Sequence, residues 1–371
     1  MNRRRILVAV LLILVVIAGA LYLRDGRQGH RIGSFDFLEP PCAPAGRPDA
    51  SQADVRVAYL GVGGMVIEWR GETIATAPQF TRIGMVEAGI GHLRSDATAI
   101  EQGLNGFDAA SWQLILSGHA HYDHLADVPL IMQRHSPQAT LWTNGSGEKM
   151  LHAFPELQSR VFNAETAMGQ WIDVLDGKAR IAPLKSLHAS HYGRYHYAPG
   201  EVTEPWDDWE SHRVSEMREG QTLNFLIDLL DDQGEIAFRI YYQDAVNPNR
   251  SGFPPAEWIA ERGVDLAVLC APASWREPGH PNELLAHLKA RHGMAIHYED
   301  FFADEAQPKH FVTSLTDARM ASLLERIERG VAQPVAASAP GCGPSSAAWT
   351  VPLQGEWVGF RSNAVLRSSD R

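Results

Sequence analysis

Four side chains able to ligate a metal crowd into six positions of the stretch WQLILSGHAHYDH: His119, His121, Asp123 and His124. Imidazole nitrogens with a carboxylate suit zinc well, and other first-row metals less selectively. A short apolar run, Trp112 to Leu116, precedes them and reads as a buried β-strand, which Ser117-Gly118 breaks. A strand that ends there holds the loop by its root and lets the side chains beyond it converge. His119 and His121 alternate around one turn while Asp123 and His124 point elsewhere, so one loop serves two neighbouring metal ions. The plainer reading, histidines on a solvated loop, requires this crowding to arise by chance.

The HAHYDH segment resembles the HxHxDH signature of the metallo-β-lactamase-fold hydrolases. That resemblance covers roughly residues 55–330 and implies further ligands at distant strand ends. ARIAPLKSLHASH delivers His188 and His191 just past a predicted strand. In the resembling family a histidine at that point completes the first metal site. His188 is the expected ligand, because it comes first and lies between the small Ser186 and Ala189; His191 is the second choice, or a group that hydrogen-bonds substrate. The strand Ile236–Tyr242 ends in Gln243-Asp244, where the family places the carboxylate that bridges both metals. An Asp at the end of a buried strand is costly unless paired or metal-bound. The alternative for Asp244 is a cap on the turn Ala245-Val246-Asn247-Pro248. Met294-Ala295-Ile296 leads into His297 of HYEDFF, which matches the family's last ligand histidine. The resemblance thus assigns His119, His121 and His188 to one metal, Asp123, His124 and His297 to a second, and Asp244 to both. Asp123 is also the candidate catalytic group, orienting the nucleophile or carrying a proton.

These ligands need strands to carry them. VRVAYLGVGGMVIEW alternates and breaks at Gly61–Gly64, as two strands joined by a tight turn do. No Gly-Lys-Ser/Thr follows Gly63-Gly64, which leaves a glycine hairpin rather than a phosphate cradle. GETIATAPQF supplies a third strand; where the resembling family has Asp-Pro, this chain has Ala77-Pro78, so a support contact beneath the site is in question. Helices are predicted over 127–134, 145–154, 282–291 and 318–329. Strands are predicted over 139–143, 161–162, 171–174, 222–227, 236–242 and DLAVLCAPA, with a last one over 349–360. Strand alternating with helix, with several hairpins, argues for sheets covered by helices. The resemblance makes this an α/β protein of four layers, an αββα metallo-β-lactamase sandwich, preceded by an N-terminal hydrophobic anchor.

Residues 192–220 are polar, aromatic and poorly periodic, and follow directly on an expected ligand. They are placed either to cover a site, with Tyr192, Tyr195, Tyr197, Trp206 and Trp209 lining a pocket, or to form a flap held by its own aromatic packing.

MNRRR precedes an uninterrupted apolar run, Ile6 to Leu23, long enough to cross a bilayer at the short end of the range. The arginines before it favour an N-terminus left in the cytoplasm and an exported, extracytoplasmic or periplasmic body. Ala18-Gly19-Ala20 offers the alternative of a cleaved signal peptide and a secreted protein. The expected organisation is an anchor or signal over 1–24, a spacer over 25–54, the hydrolase domain over 55–330, and a Pro/Ala/Ser-rich segment with a final strand over 331–371. The chain's net charge is −11, and its first 24 residues hold four Arg and no acid, so the body is more acidic still. Such a body is a poor partner for nucleic acid. Cys42 and Cys342 lie in Pro/Gly-rich loops where an oxidising compartment permits a disulfide, or two unpaired thiols. Cys270 ends an apolar run and reads as a small core residue.

The resemblance implies two Zn2+, with other first-row divalent metals able to substitute, and hydrolysis by a metal-bridging hydroxide. No Gly-x-Ser-x-Gly competes with it. The aromatic insertion and the anchor favour a small-molecule or lipid-like ester or phosphodiester, similar to the N-acyl-phosphatidylethanolamine phospholipase D branch. The alternatives are a lactonase or β-lactamase activity, or an exported scaffold that binds zinc without catalysis. Fold alone does not choose among them, and oligomeric state leaves no mark on the sequence.

Overall fold

Val55, Val57 and Tyr59 point one way from the first strand and Ala58 and Leu60 the other, and the two sets enter different apolar cores. The same split recurs at Met65, Ile67 and Trp69 against Val66, and at Leu114 and Leu116 against Ile115. A strand with period-two side chains and apolar residues on both faces has to be covered on both sides. The computed structural model describes residues 3, 10–17, 19, 53–191, 193–303, 310–312, 315–331 and 348–360, and in it that cover is a second sheet on one face and helices on the other.

The first sheet contains β1 (Val55–Gly61), β2 (Gly64–Trp69), β3 (Glu72–Thr76), β4 (Leu114–Leu116), β5 (Thr140–Thr143) and β6 (Val161–Asn163), paired in that order. The second contains β7 (Ile172–Val174), β8 (Ala179–Lys185), β9 (Leu223–Leu230), β10 (Ile236–Tyr242), β11 (Leu266–Cys270) and β12 (Gly293–Ile296), again in order. Helices over 85–90, 97–103, 128–134 and 145–150 pack on the outer face of the first sheet through residues such as Ile100, Ile131 and Met150. Helices Asn282–Leu288 and Asp317–Gly330 cover the second sheet with Leu284, Leu285 and Leu288 and with Leu323, Leu324 and Ile327. The layers are therefore helix, sheet, sheet, helix. Polar ties cross between the sheets: the Trp69 indole donates to Leu230 O at 3.0 Å, and the Tyr242 hydroxyl donates to Gly63 O at 2.7 Å.

Strand direction decides where a site can form. β9 is antiparallel to both β8 and β10, while β11 and β12 run parallel to β10. β8, β10, β11 and β12 therefore all end at one edge of the second sheet.

The last strand departs from the expectation of one continuous element. It is two strands, β13 (Trp349–Thr350) and β14 (Trp357–Phe360), and they join different sheets. β13 extends the second sheet beside β12, and β14 extends the first beside β1. Pro352 has no N–H for a ladder, and a turn closed by Glu356 N donating to Leu353 O carries the chain from one sheet to the other. Two predicted helices are also shorter than expected. The first is α-helical over Gly145–Met150 and tightens to a 3₁₀ turn over Leu151–Ala153 ahead of Pro155; the second stops at Leu288, where Lys289 adopts φ +49°.

Residues 10–17 are helical with exposed apolar side chains, and no helix among the described residues is long and apolar enough to cross a membrane. The rest of the expected anchor except 3 and 19, the spacer up to 52, Cys42 and Cys342 lie outside the described residues. Cys270 is buried as expected, in a small cluster with Ala189 and Val246.

Candidate metal centre

The loop after β4 folds back on itself because the Ser117 hydroxyl lies 3.0 Å from His119 O and 3.2 Å from His124 O. A single helical turn, Tyr122–Leu125, then starts at His121 and lifts Asp123 and His124 away from the two preceding histidines. His119, His121, Asp123 and His124 are all buried. β8 delivers His188, β10 delivers Asp244 and β12 delivers His297 to the same place. The seven side chains form three overlapping groups, each with its ligand atoms within 4.8 Å of one another: His119, His121 and His188; His119, His124 and Asp244; Asp123, His124 and His297.

Asp244 stands between the two sets. Its Oδ2 lies 2.5 Å from His119 Nδ1 and its Oδ1 lies 3.1 Å from His124 Nδ1. The Tyr242 hydroxyl sits 2.8 Å from Oδ1, and Asp244 N donates to Asn224 Oδ1 at 3.2 Å. The expected alternative, a cap on the following turn, has no carboxylate bond behind it here. His297 Nε2 is 3.3 Å and His124 Nε2 is 3.8 Å from Asp123 Oδ2.

Burial favours neutral imidazoles at His119, His121 and His188, whereas at His124 the carboxylates of Asp244 and Asp123 overturn burial and raise the ring above its ordinary value. Burial holds His119 and His188 down to about 4, helped at both by the nearby His124, and holds His121 well below its ordinary value. Burial alone raises Asp123 and Asp244, but the imidazoles overturn it. His124 with His297 lowers the first, and His124 with His119 lowers the second. His121 Nε2 and His297 Nδ1 are buried with no hydrogen-bond partner among the described residues. A buried ring nitrogen left without a partner is costly unless an ion takes its lone pair. His121 Nε2, in a set of nitrogen and oxygen donors only, fits a divalent metal of the zinc kind.

Two glycines allow the elements to come this close. A Cβ on Gly63 stands 2.6 Å from His124 Cε1, and one on Gly118 stands 2.2 Å from Leu223 O and 2.6 Å from Asp244 Cβ. Several supporting groups escaped the sequence reading. Glu299 Oε1 accepts from Val62 N at 2.6 Å and its other oxygen accepts from the Tyr59 hydroxyl, which in turn accepts from His297 N at 2.9 Å. The couple pins His297, whose φ is +62°, to the turn that cradles His124. Replacing Glu299 with Ala leaves Val62 N buried without an acceptor and the Tyr59 hydroxyl with only the longer contact to Val62 O at 3.3 Å, and is expected to lower stability by about 2 kcal/mol. Urea unfolding of the metal-free variant measures this, and a loss under about 1 kcal/mol dismisses the clamp. The segment after Ala77-Pro78 is tied to the motif loop by another carboxylate. Asp127, three residues after His124, accepts from Phe80 N and Thr81 N, both at 2.7 Å, and from the Thr81 hydroxyl at 2.6 Å.

The centre opens into a cleft of about 100 Å³ that His121, Asp123, His124, His188, Asp244 and His297 line from below. Its walls are mostly apolar, with Val246, Ala273, Trp275, Phe301, Phe302 and Val312. The described aromatic residues of 193–220 do not provide them. Trp206 and Trp209 are buried against each other and against Phe154 and His212, which is the self-packed flap. Tyr195 is exposed, and Tyr197 packs edge-on against His121 with its hydroxyl on Ala88 O at 2.7 Å. Tyr192 lies outside the described residues.

No family model and no curated protein matches the chain. Among solved structures it is similar to a metallo hydrolase from the archaeon Ignicoccus hospitalis, at 16% identity and TM-score 0.43, over 82% of this chain and 97% of that one. It is also similar to a metallo-beta-lactamase fold protein from Bacillus subtilis, at 9% identity and TM-score 0.44, over 82% and 98% of the two chains. The third is an isothiocyanate hydrolase from Delia radicum gut bacteria, at 15% identity and TM-score 0.45, over 83% and 99%. At such scores the likeness carries no functional weight, and the chemistry has to come from the side chains themselves.

Proposed function

We propose that this chain is a zinc-dependent hydrolase with a binuclear centre, acting on an ester or phosphodiester. The observation that carries the reading is the convergence of seven ligand-type side chains, from four strand ends, into three groups that share His119 and His124. His119, His121 and His188 hold the first ion; Asp123, His124 and His297 hold the second; Asp244, with one oxygen toward each set, serves both. When bound, the pair of divalent ions supplies a water acidified toward neutral pH and polarises the bond under attack. Tyr242 and Asn224 fix Asp244 in register, the role that outer hydrogen bonds play around metal ligands. Asp123, which lines the cleft and is kept ionised by His124 and His297, is placed to orient the nucleophile by accepting its hydrogen bond. The apolar walls exclude water and accept an apolar portion of the substrate, which supports an amphipathic or lipid-like molecule. The Ile6–Leu23 run supports a body held at, or exported across, a membrane.

The purified body, supplemented with zinc, is expected to hold about two metals per chain by elemental analysis and to turn over generic ester or phosphodiester substrates. His188→Ala is expected to lose metal from the first site, whereas His191→Ala keeps both. One metal or none in the unaltered protein removes the binuclear assignment. Two metals without turnover of ester, phosphodiester, lactone or β-lactam substrates points instead to a zinc-binding scaffold.

A further inference from the structure

His191 belongs to none of the three ligand groups, yet it is held as firmly as the residues that do. Its ring stacks on His188 with centroids 4.6 Å apart and planes 15° apart, and meets His121 edge-on at 5.6 Å. Its backbone is fixed on both sides: His191 N donates to Tyr195 O at 2.9 Å, and the Arg276 guanidinium donates to both Ser190 O and His191 O. The informative bond is on the ring, where Tyr197 N donates to His191 Nδ1 at 3.2 Å. A backbone amide can only donate, so Nδ1 carries a lone pair there. A neutral imidazole that accepts at one nitrogen carries its proton on the other. The ring lines the cleft.

We infer that His191 is a further binding residue of the site: a neutral imidazole locked in its Nε2–H form, donating to an oxygen of the substrate beside the first ligand set. This rests on the hydrolase reading and deepens it. The substrate class it selects carries an anionic or strongly polarised oxygen, carboxyl or phosphoryl, on the His188 side. The apolar part then lies toward Phe301 and Phe302, since Phe301 packs against His297 at 5.0 Å on the far side of the centre. A donor fixed in advance costs no reorganisation when charge develops on that oxygen.

Two measurements test this. Nitrogen-15 NMR of histidine-labelled, metal-free protein is expected to show His191 protonated at Nε2 and bare at Nδ1; the opposite tautomer overturns the inference. Inorganic phosphate, titrated calorimetrically into the zinc-loaded protein, is expected to bind His191→Ala about tenfold more weakly than the unaltered chain, with metal content unchanged. His191→Gln, which keeps a terminal N–H, is expected to recover most of the loss. Where bis(p-nitrophenyl) phosphate or p-nitrophenyl acetate is turned over, kcat/KM of His191→Ala is expected to fall about a hundredfold, the scale for one preorganised donor. Equal phosphate affinity in the two proteins, no phosphate binding at all, or loss of a metal from His191→Ala overturns the inference. Failure to turn over either substrate, with phosphate still bound and weakened by the substitution, instead removes the ester and phosphodiester reading and leaves the donor in place.

Discussion

Asp244→Asn is expected to drop the metal content from about two to below one per chain, and to cut turnover about a thousandfold. That is the upper end of what removing one preorganised electrostatic group costs. The carboxylate is buried and faces one histidine of each set, at 2.5 and 3.1 Å. Asn keeps the shape but removes the negative charge that two cations share, and replaces one acceptor oxygen by a donor. The effect therefore reaches both ions rather than one. Were Asp244 a turn cap, Asn would cap almost equally well and the cost would stay near ~1 kcal/mol or less. Elemental analysis and thermal unfolding of the variant decide the matter together. A well-folded protein with full metal occupancy would show that the carboxylate serves the turn and not the ions.

Gly118→Ala is expected to lower stability by about 3 kcal/mol, at the severe end of what overpacking costs. The neighbours in its way are backbone and a short side chain, Leu223 O and Asp244 Cβ, and neither can swing aside. The new methyl has to push β4 away from β9 and β10, so the motif loop and Asp244 separate as well. Metal affinity is expected to fall along with the urea midpoint. An unchanged midpoint dismisses the close approach; a lower midpoint with unchanged metal affinity shows that the two sheets move as one body.

The site was legible in proportion to how local its parts are. HAHYDH announces itself because four ligands follow one strand end within a single loop. His188, Asp244 and His297 have no motif of their own. Only their order along a resembling family singled them out, and only the shared direction of β8, β10 and β12 explains why they meet. The Tyr59–Glu299 couple was out of reach, since its partners lie 240 residues apart and each looks ordinary where it stands, Tyr59 in β1 and Glu299 in the loop after β12. Trp206 and Trp209 stood between two readings, a pocket wall and a self-packed flap, and they are buried among aromatic neighbours. Aromatic residues in a polar insertion suggest a pocket wall, but indole rings large enough to line a cleft are also large enough to bury one another. The split of β13 from β14 was written in Pro352, yet the destination of each half depends on which edges the rest of the fold leaves open.

Those two short strands set the order in which the molecule can be finished. β1 pairs with β14, Val55 opposite Phe360, so the edge of the first sheet stays uncovered until the ribosome has released some three hundred residues beyond it. Until then the nascent chain presents β1 as a row of free amides and carbonyls, the surface on which strands from other molecules can add. Contacts between such distant partners also form slowly, because the loop between them must be closed before the pairing repays it. Protein production is therefore most vulnerable before β14 is made, and a chaperone that shields exposed strand edges during that interval is expected to raise the yield more than one that acts after the pairing has formed.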